Sequence, residues 1–284
     1  MLKELSPCSS SWRAQGDLSR WLEDRGVVGL AGVDTRALTR HLRRRGAMRA
    51  AIFPVERGDV DVAALVRQVQ TTSVMEGQDL ASQVTATEHR RIQGQGARRI
   101  VLVDYGVKQG IVQQLSSRGL TVDLVPAGYT ADQVLELRPH GVVLSNGPGD
   151  PAAVGSGIAT ARQLVGRIPL LGICLGHQIL ALALDARTYK LSFGHHGGNH
   201  PVRDEQTGEV WITAQNHGFA VDPDSLPRTV SRVTHVSLYD GTLEGFDAPE
   251  LQLMAVQFHP EGAPGPTDAR PIFDRFLARL IEVD

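Results

Sequence analysis

Cys174 lies in the segment Pro169-Leu170-Leu171-Gly172-Ile173-Cys174-Leu175-Gly176-His177-Gln178, where a short apolar run ends in Gly-x-Cys-x-Gly. The run reads as a strand and the residues after it as a helix, so the chain must turn sharply at the cysteine. Glycines at 172 and 176 let the backbone turn without Cβ clashes. The apex side chain is expected to face solvent, and the partial positive charge of a helix N-terminus favours negative charge on its sulfur. A free cysteine is most often a small buried hydrophobe. A core strand, however, has no use for two glycines at spacing two followed by a His-Gln pair. The pattern predicts a cysteine nucleophile.

A thiol nucleophile needs a base, and the base needs a group to orient it. Most of the ten histidines are explicable as surface residues; His259-Pro260-Glu261 is different. It follows the strand-like run Leu253–Phe258, and the proline biases His259 towards an extended conformation. Residues i and i+2 of an extended segment point the same way, so imidazole and carboxylate project together. Glu261 can then fix the tautomer of His259 while the other ring nitrogen faces the sulfur. Alone, a strand-end histidine beside a glutamate is common; with the cysteine elbow it completes a nucleophile-base-acid set.

A third piece is Ser145-Asn146-Gly147-Pro148-Gly149-Asp150-Pro151, directly after the run Gly141–Leu144. In isolation it reads as a tight turn. At the C-terminal edge of a parallel sheet, such a rigid loop can aim a backbone N–H at a developing oxyanion. A phosphate cradle fits less well, because no Lys-Ser/Thr follows and the loop does not open directly into a helix.

The elements that must position these residues are legible in outline. Ile100–Val103, Leu120–Val125, Gly141–Leu144 and Ile168–Ile173 are apolar runs too continuous to have a wet face. Between and after them fall helical segments near 108–118, 132–137, 158–165 and 176–183. Four β-α units in series argue for an α/β fold, an open and mostly parallel sheet covered by helices. After residue 187 the pattern turns to hairpins and strands, with turns at Gln206-Thr207-Gly208 and Asp240-Gly241. A last helix spans about Pro271 to Glu282. The aperiodic stretch 86–98 reads as a linker. Residues 1–85 read as a smaller, partial α+β domain, with helices at Asp17–Arg25 and Thr35–Arg45 and strand candidates at Val27–Ala31 and Arg49–Phe53. The linker separates that domain from a catalytic domain at 99–284.

At 284 residues, with 42% hydrophobic and 21% charged residues and a formal net charge of −2, the chain has an ordinary globular composition. Bulk charge gives no reason to expect nucleic-acid or membrane binding. Arg43-Arg44-Arg45 suits the C-terminal end of a helix. Two distant cysteines, Cys8 and Cys174, argue against a disulfide framework, and a reactive thiol suits the cytoplasm. No apolar stretch reaches the roughly 18 residues of a spanning helix. His195, His196 and His200 could suggest a metal, but glycines interrupt them and no acidic or cysteine ligand is near in sequence. A hydrogen-bonded loop is expected instead, with no metal.

Taken together, the three chemical motifs resemble those of the class I, triad-type glutamine amidotransferases, over roughly residues 99–284. Phe193–Pro201, Ala214–Val221, Ser237–Gly245 and Gly32–Arg40 are further similar to the small-subunit family of the carbamoyl-phosphate synthetases. The resemblance implies that Cys174 attacks the glutamine side-chain amide, His259 is the base and Glu261 orients it. It implies backbone N–H groups of Gly147 and Leu175 as the oxyanion hole. Gly149, Gln178, Asn216, Gly218 and Phe219 would contact glutamine, and His177 would be structural.

The implied partner is a large synthetase subunit that binds ATP and Mg and makes carbamoyl phosphate for arginine and pyrimidine synthesis; no cofactor is expected in this chain. Members of the family carry a longer N-terminal domain whose early part lends glutamine a serine. None of Ser6, Ser9, Ser10 or Ser11 matches that serine, so an N-terminally shortened chain is expected. Two other functions stay open: the glutaminase subunit of another amidotransferase, or an inactive interaction subunit.

Overall fold

The structure is a computed structural model that describes residues 1–12, 14–54 and 60–281. The chain divides into two compact units, residues 1–74 and 75–284. The first unit carries helices α1 (Leu18–Glu23), α2 (Thr35–Arg45) and α3 (Val62–Thr71). Each starts at an aspartate that accepts a backbone N–H three residues on: Asp17 from Arg20, Asp34 from Ala37 and Asp61 from Ala64, at 2.8–2.9 Å. Arg43, Arg44 and Arg45 fall in the last turn of α2. The strand candidates at 27–31 and 49–53 are not strands. Among the described residues their β-branched side chains find no partner strand, and Val27 and Val28 are exposed.

The second unit opens with a short helix α4 (Ala81–Val84) and strand β1 (Arg90–Ile92), followed by β2 (Arg99–Asp104), α5 (Gln109–Ser116), β3 (Thr121–Pro126), α6 (Ala131–Glu136), β4 (Gly141–Leu144), α7 (Gly155–Leu164), β5 (Leu170–Ile173) and α8 (Leu175–Ala183). Five strands and a helix complete it: β6 (Thr188–Asp204), β7 (Val210–Val221), β8 (Arg232–Ser237), β9 (Leu243–Ala248), β10 (Leu253–Val256) and α9 (Pro271–Ile281). Glu282, the expected end of the last helix, lies outside the described residues.

These ten strands form one sheet in the order β1-β3-β2-β4-β5-β10-β9-β8-β6-β7. The central strands β3, β2, β4, β5 and β10 are parallel. Alternate residues of these strands enter opposite layers of core. Val101, Val103 and Leu144 pack with Val134, Ala161, Leu164 and Leu180 of α6–α8. Ile100, Leu102, Val143 and Ile173 pack with Ile111 and Leu115 of α5 and Phe273 and Phe276 of α9. A fully buried side chain of this kind contributes about 1.5–3 kcal/mol, so burial on both faces holds the strand ends rigidly.

In place of the linker expected at 86–98, the structure has β1, antiparallel to β3. Polar residues form this strand because it pairs charge: Arg91 Nε and His89 Nε2 both lie 2.7 Å from Asp123 Oδ1. Burial pushes the Asp123 carboxyl up, but these bonds hold it below the usual carboxylate range. Among the described residues no helix is long and apolar enough to cross a membrane.

Candidate active site

Cys174 links β5 directly to α8, with φ 54° and ψ −103°. A non-glycine residue in that region stores roughly 1–3 kcal/mol and persists only where its surroundings over-determine it. They do so here. Cys174 N–H donates to Val256 O at 2.9 Å and Gly176 N–H to Ser145 O at 3.1 Å, which fixes the elbow to the ends of β10 and β4. A Cβ on Gly176 would run into the Leu144 carbonyl oxygen, and one on Gly172 would lie 2.6 Å from Gly176 O. The glycines therefore permit close approach of helix and sheet. Contrary to the expectation of a solvent-facing apex, Cys174 is buried. The reason is tertiary: β7 runs past the elbow and brings Asn216 O to 4.0 Å from Sγ.

β10 lies beside β5, with Val256 opposite Ile173. His259 follows three residues beyond β10, its N–H bonded to Ala214 O at 2.9 Å. Its Nδ1 lies 2.9 Å from Glu261 Oε1, and its ring interacts electrostatically with the Cys174 sulfur. His259 is an isolated bridge residue, but Pro260 and Glu261 form a turn in place of the extended segment expected, with Gly262 N–H bonded to His259 O at 3.4 Å; imidazole and carboxylate meet through that turn. Burial pushes the His259 imidazole down, but the Cys174 sulfur and Glu261 outweigh it and raise His259 to about 9. Glu261 is completely buried. Burial pushes its carboxyl up, yet His259 and the Lys108 charge hold it below the usual range. Lys108 Nζ donates to Glu261 Oε1 at 3.0 Å. Nothing in the spacing of Lys108 marks it as part of this chain of charges, and sequence reasoning missed it.

His177 has the opposite character. It is fully buried, stacks at 5.1 Å against Phe246, and neither ring nitrogen makes a well-formed hydrogen bond. Burial drives it down to about 3, outweighing the nearby Gln257 amide, so it is neutral near pH 7.

The 145–151 loop is pinned from both ends. Asn146 Oδ1 accepts the Lys108 N–H and Asn146 Nδ2 donates to Gly106 O, both at 3.0 Å. At the far end Asp150 N–H donates to Gln78 O at 3.1 Å and Asp150 Oδ2 accepts the Gly77 N–H at 2.8 Å. A Cβ on Gly147 would strike the Tyr105 carbonyl oxygen and lie 2.8 Å from Leu175 Cδ2. Gly147 and Leu175, the latter first in α8, are therefore neighbours beside Cys174. Gly149 takes φ +101°. Gln178 sits one turn after Cys174, and β7 carries Asn216, Gly218 and Phe219 past the same elbow. Gln178 Nε2 donates to Phe219 O at 2.8 Å. Cys174, His259, Glu261, Gly147, Leu175, Gln178, Asn216 and Phe219 are thus brought together, whereas Gly149 packs against Gln78 and Leu80 and Gly218 against Lys190.

The loop histidines stay in contact, with the His195 and His200 rings 5.4 Å apart, but take different partners. His196 Nδ1 meets Asn216 Oδ1 at 3.0 Å and His200 Nε2 meets His196 O at 3.2 Å. His195 instead joins two residues distant in sequence, His217 and Glu244, whose potential ligand atoms lie within 4.8 Å of one another. In number and type these three could hold a metal. His195 Nε2 lies 2.8 Å from Asp240 Oδ2 and its Nδ1 3.3 Å from Glu244 Oε1, while His195 Nδ1, His217 Nε2 and Glu244 Oε1 make no well-formed hydrogen bond among the described residues. Burial pushes His195 down, and the two carboxylates more than reverse it.

Comparison with known proteins agrees with this geometry. The family described as glutamine amidotransferase class-I matches residues 101–279. The CPSase domain of the carbamoyl-phosphate synthase small chain matches residues 1–52. A carbamoyl phosphate synthase small chain of Symbiobacterium thermophilum is 49% identical over 98% of this chain and 77% of its own. That of Archaeoglobus fulgidus is 46% identical over 99% and 78%. The crystal structure of a GMP synthase component from Thermoplasma acidophilum superposes with a TM-score of 0.57 at 22% identity, covering 65% of this chain and 94% of that one, and so shares the fold. With its amidotransferase domain and near full-length identity to these relatives, the chain belongs to the carbamoyl phosphate synthase small chain family.

Proposed function

We propose that this chain is the glutaminase subunit of a carbamoyl phosphate synthase, hydrolysing glutamine to glutamate and ammonia. The observation that carries the reading is the Cys174–His259–Glu261 chain, with Glu261 2.9 Å from His259 and the imidazole raised by the neighbouring sulfur. The Cys174 sulfur attacks the carboxamide carbon while the carbonyl electrons move to oxygen. The oxyanion is met by the N–H groups of Gly147 and Leu175. Collapse breaks the C–N bond, and His259 gives its proton to the departing ammonia. A thioester remains. Water then attacks it, His259 takes the water proton, and glutamate leaves as the sulfur is released. Glu261, held ionised by Lys108 and His259, keeps the imidazole in the tautomer that faces sulfur. Gly149, Gln178, Asn216, Gly218 and Phe219 line the glutamine pocket.

Ammonia passes to a large partner subunit, which binds ATP and Mg and forms carbamoyl phosphate from ammonia and bicarbonate for arginine and pyrimidine synthesis. A cytoplasmic location suits the free thiol. The test is Cys174→Ser in the reconstituted complex. Glutamine-dependent carbamoyl phosphate synthesis should vanish while ammonia-dependent synthesis persists. Undiminished glutamine hydrolysis in the variant would refute the reading.

A further inference from the structure

Gln178 lies four residues after Cys174 on α8, so the two share a helix face. Its amide nitrogen is fully committed: Nε2 donates to Phe219 O at 2.8 Å and to Gln257 Oε1 at 2.9 Å. A carboxamide nitrogen has two protons, so both are engaged. Among the described residues no group donates to Gln178 Oε1. The amide orientation is thereby fixed, because a flip would set Oε1 against two acceptor oxygens.

Phe219 O is backbone, and Gln257 is the one side chain among the described residues that shares the task of holding Nε2. Gln257 is completely buried between β10 and His259, and its own N–H is bonded to Glu244 O at 2.8 Å. It has no contact with solvent and no place in the proton transfers described above.

We propose that Gln257 is a positioning residue for substrate recognition: it locks the Gln178 amide so that the glutamine pocket meets a carbonyl oxygen, an acceptor that selects an N–H group of the substrate. The inference rests on the glutamine pocket proposed above. With the lock in place, a ligand amine or carboxamide N–H is complemented and a ligand oxygen in the same position is repelled. Without it, Nε2 keeps only its bond to Phe219 O, the amide is held less firmly, and the discrimination weakens.

The test measures glutamine hydrolysis and alkylation of Cys174 by iodoacetamide on the full chain, for wild type, Gln257→Met, Gln178→Met and the double variant. Gln257→Met should raise the KM for glutamine roughly tenfold, the scale of one lost hydrogen bond, with kcat changed far less. The rate and pH profile of alkylation should stay as in wild type, which a merely structural role would not allow. The double variant should have a KM no higher than Gln178→Met alone, because the two side chains act as one unit.

If Gln257→Met fails to fold, Gln257→Glu carries the test, since the carbonyl oxygen of a buried, neutral glutamic acid still accepts from Gln178. A near wild-type KM in Gln257→Glu supports the lock, and a rise as large as that of Gln178→Met overturns it. An unchanged KM in Gln257→Met, additive effects in the double variant, or a parallel fall of kcat and alkylation would each overturn it as well. A wild-type chain without glutaminase activity would instead refute the proposed function, so the two failures are distinguishable.

Discussion

Replacing Cys174 by serine removes the sulfur that holds His259 up and leaves its other surroundings in place. His259 is raised to about 9 in the folded protein. Relative to an ordinary histidine near 6.5, that displacement corresponds to about 3 kcal/mol. Two unit charges at ~4 Å interact by about 4 kcal/mol at an effective dielectric of about 20. An interaction of this size with the Cys174 sulfur is therefore large enough to supply the effect. Glu261 adds to it at 2.9 Å, while burial opposes both and remains in the variant.

In Cys174→Ser, His259 should consequently titrate at least about one unit lower, a change of about 1.4 kcal/mol. The assay is an NMR titration of the imidazole ring protons, with the His259 resonance identified from the spectrum of His259→Asn. Stability should follow. The folded value lies above the unfolded one, so protonated His259 stabilises the fold fully below about 6.5 and that stability is lost as pH rises through about 9. Wild type should lose stability to urea across that window, and Cys174→Ser should lose less. An unmoved His259 titration in the serine variant would refute the electrostatic account.

Three further outcomes are expected. His259→Asn should slow thioester formation with glutamine by about 10²–10⁴-fold, Glu261→Gln by less, and His177→Asn least; His177 as the most damaging of the three would overturn the assignment of the base. Gly176→Ala forces a Cβ into the Leu144 carbonyl, and should cost about 1–3 kcal/mol in urea unfolding together with a loss of Cys174 reactivity. Lys108→Met removes a positive charge that holds Glu261 ionised. Glu261 should then take up its proton at higher pH, moving the acid limb of the glutaminase profile upward; an acid limb that stayed in place would show that Lys108 does not tune it.

Much of the catalytic domain could be read from the sequence, because the elements that build it are governed by local rules. Continuous apolar runs mark the buried central strands, and Gly172 and Gly176 mark the elbow. The pairing of His259 with Glu261 is legible from their spacing, although the structure makes it through a turn at Pro260 and Glu261 and not through an extended backbone. What escaped depends on tertiary neighbours. Strand β1 is polar because its partner is the buried Asp123, which no periodicity reveals. Cys174 is covered by a strand some forty residues away in sequence, so local geometry misjudged its exposure. Lys108, Gln257 and the His195–Glu244 pair are single residues whose role exists only once distant segments meet. The strand candidates near residues 27 and 49 show the converse, β-branched composition without a neighbour to pair with.

The chain leaves β5 at Cys174 and returns beside it in β10, 79 residues later by the numbering of Leu253 and Cys174, after building β6 to β9 as an excursion. Cys174 and His259 therefore hang from adjacent, hydrogen-bonded rails, and their separation is set by one strand spacing. The length of the intervening polypeptide has no bearing on it. Insertions at the outer turns near Gly208 and Gly241, where an added side chain meets open space, should leave that spacing untouched. The excursion can thus change its outer edge while the reacting atoms keep their alignment, a mechanical independence of rim from centre that comes from strand order alone.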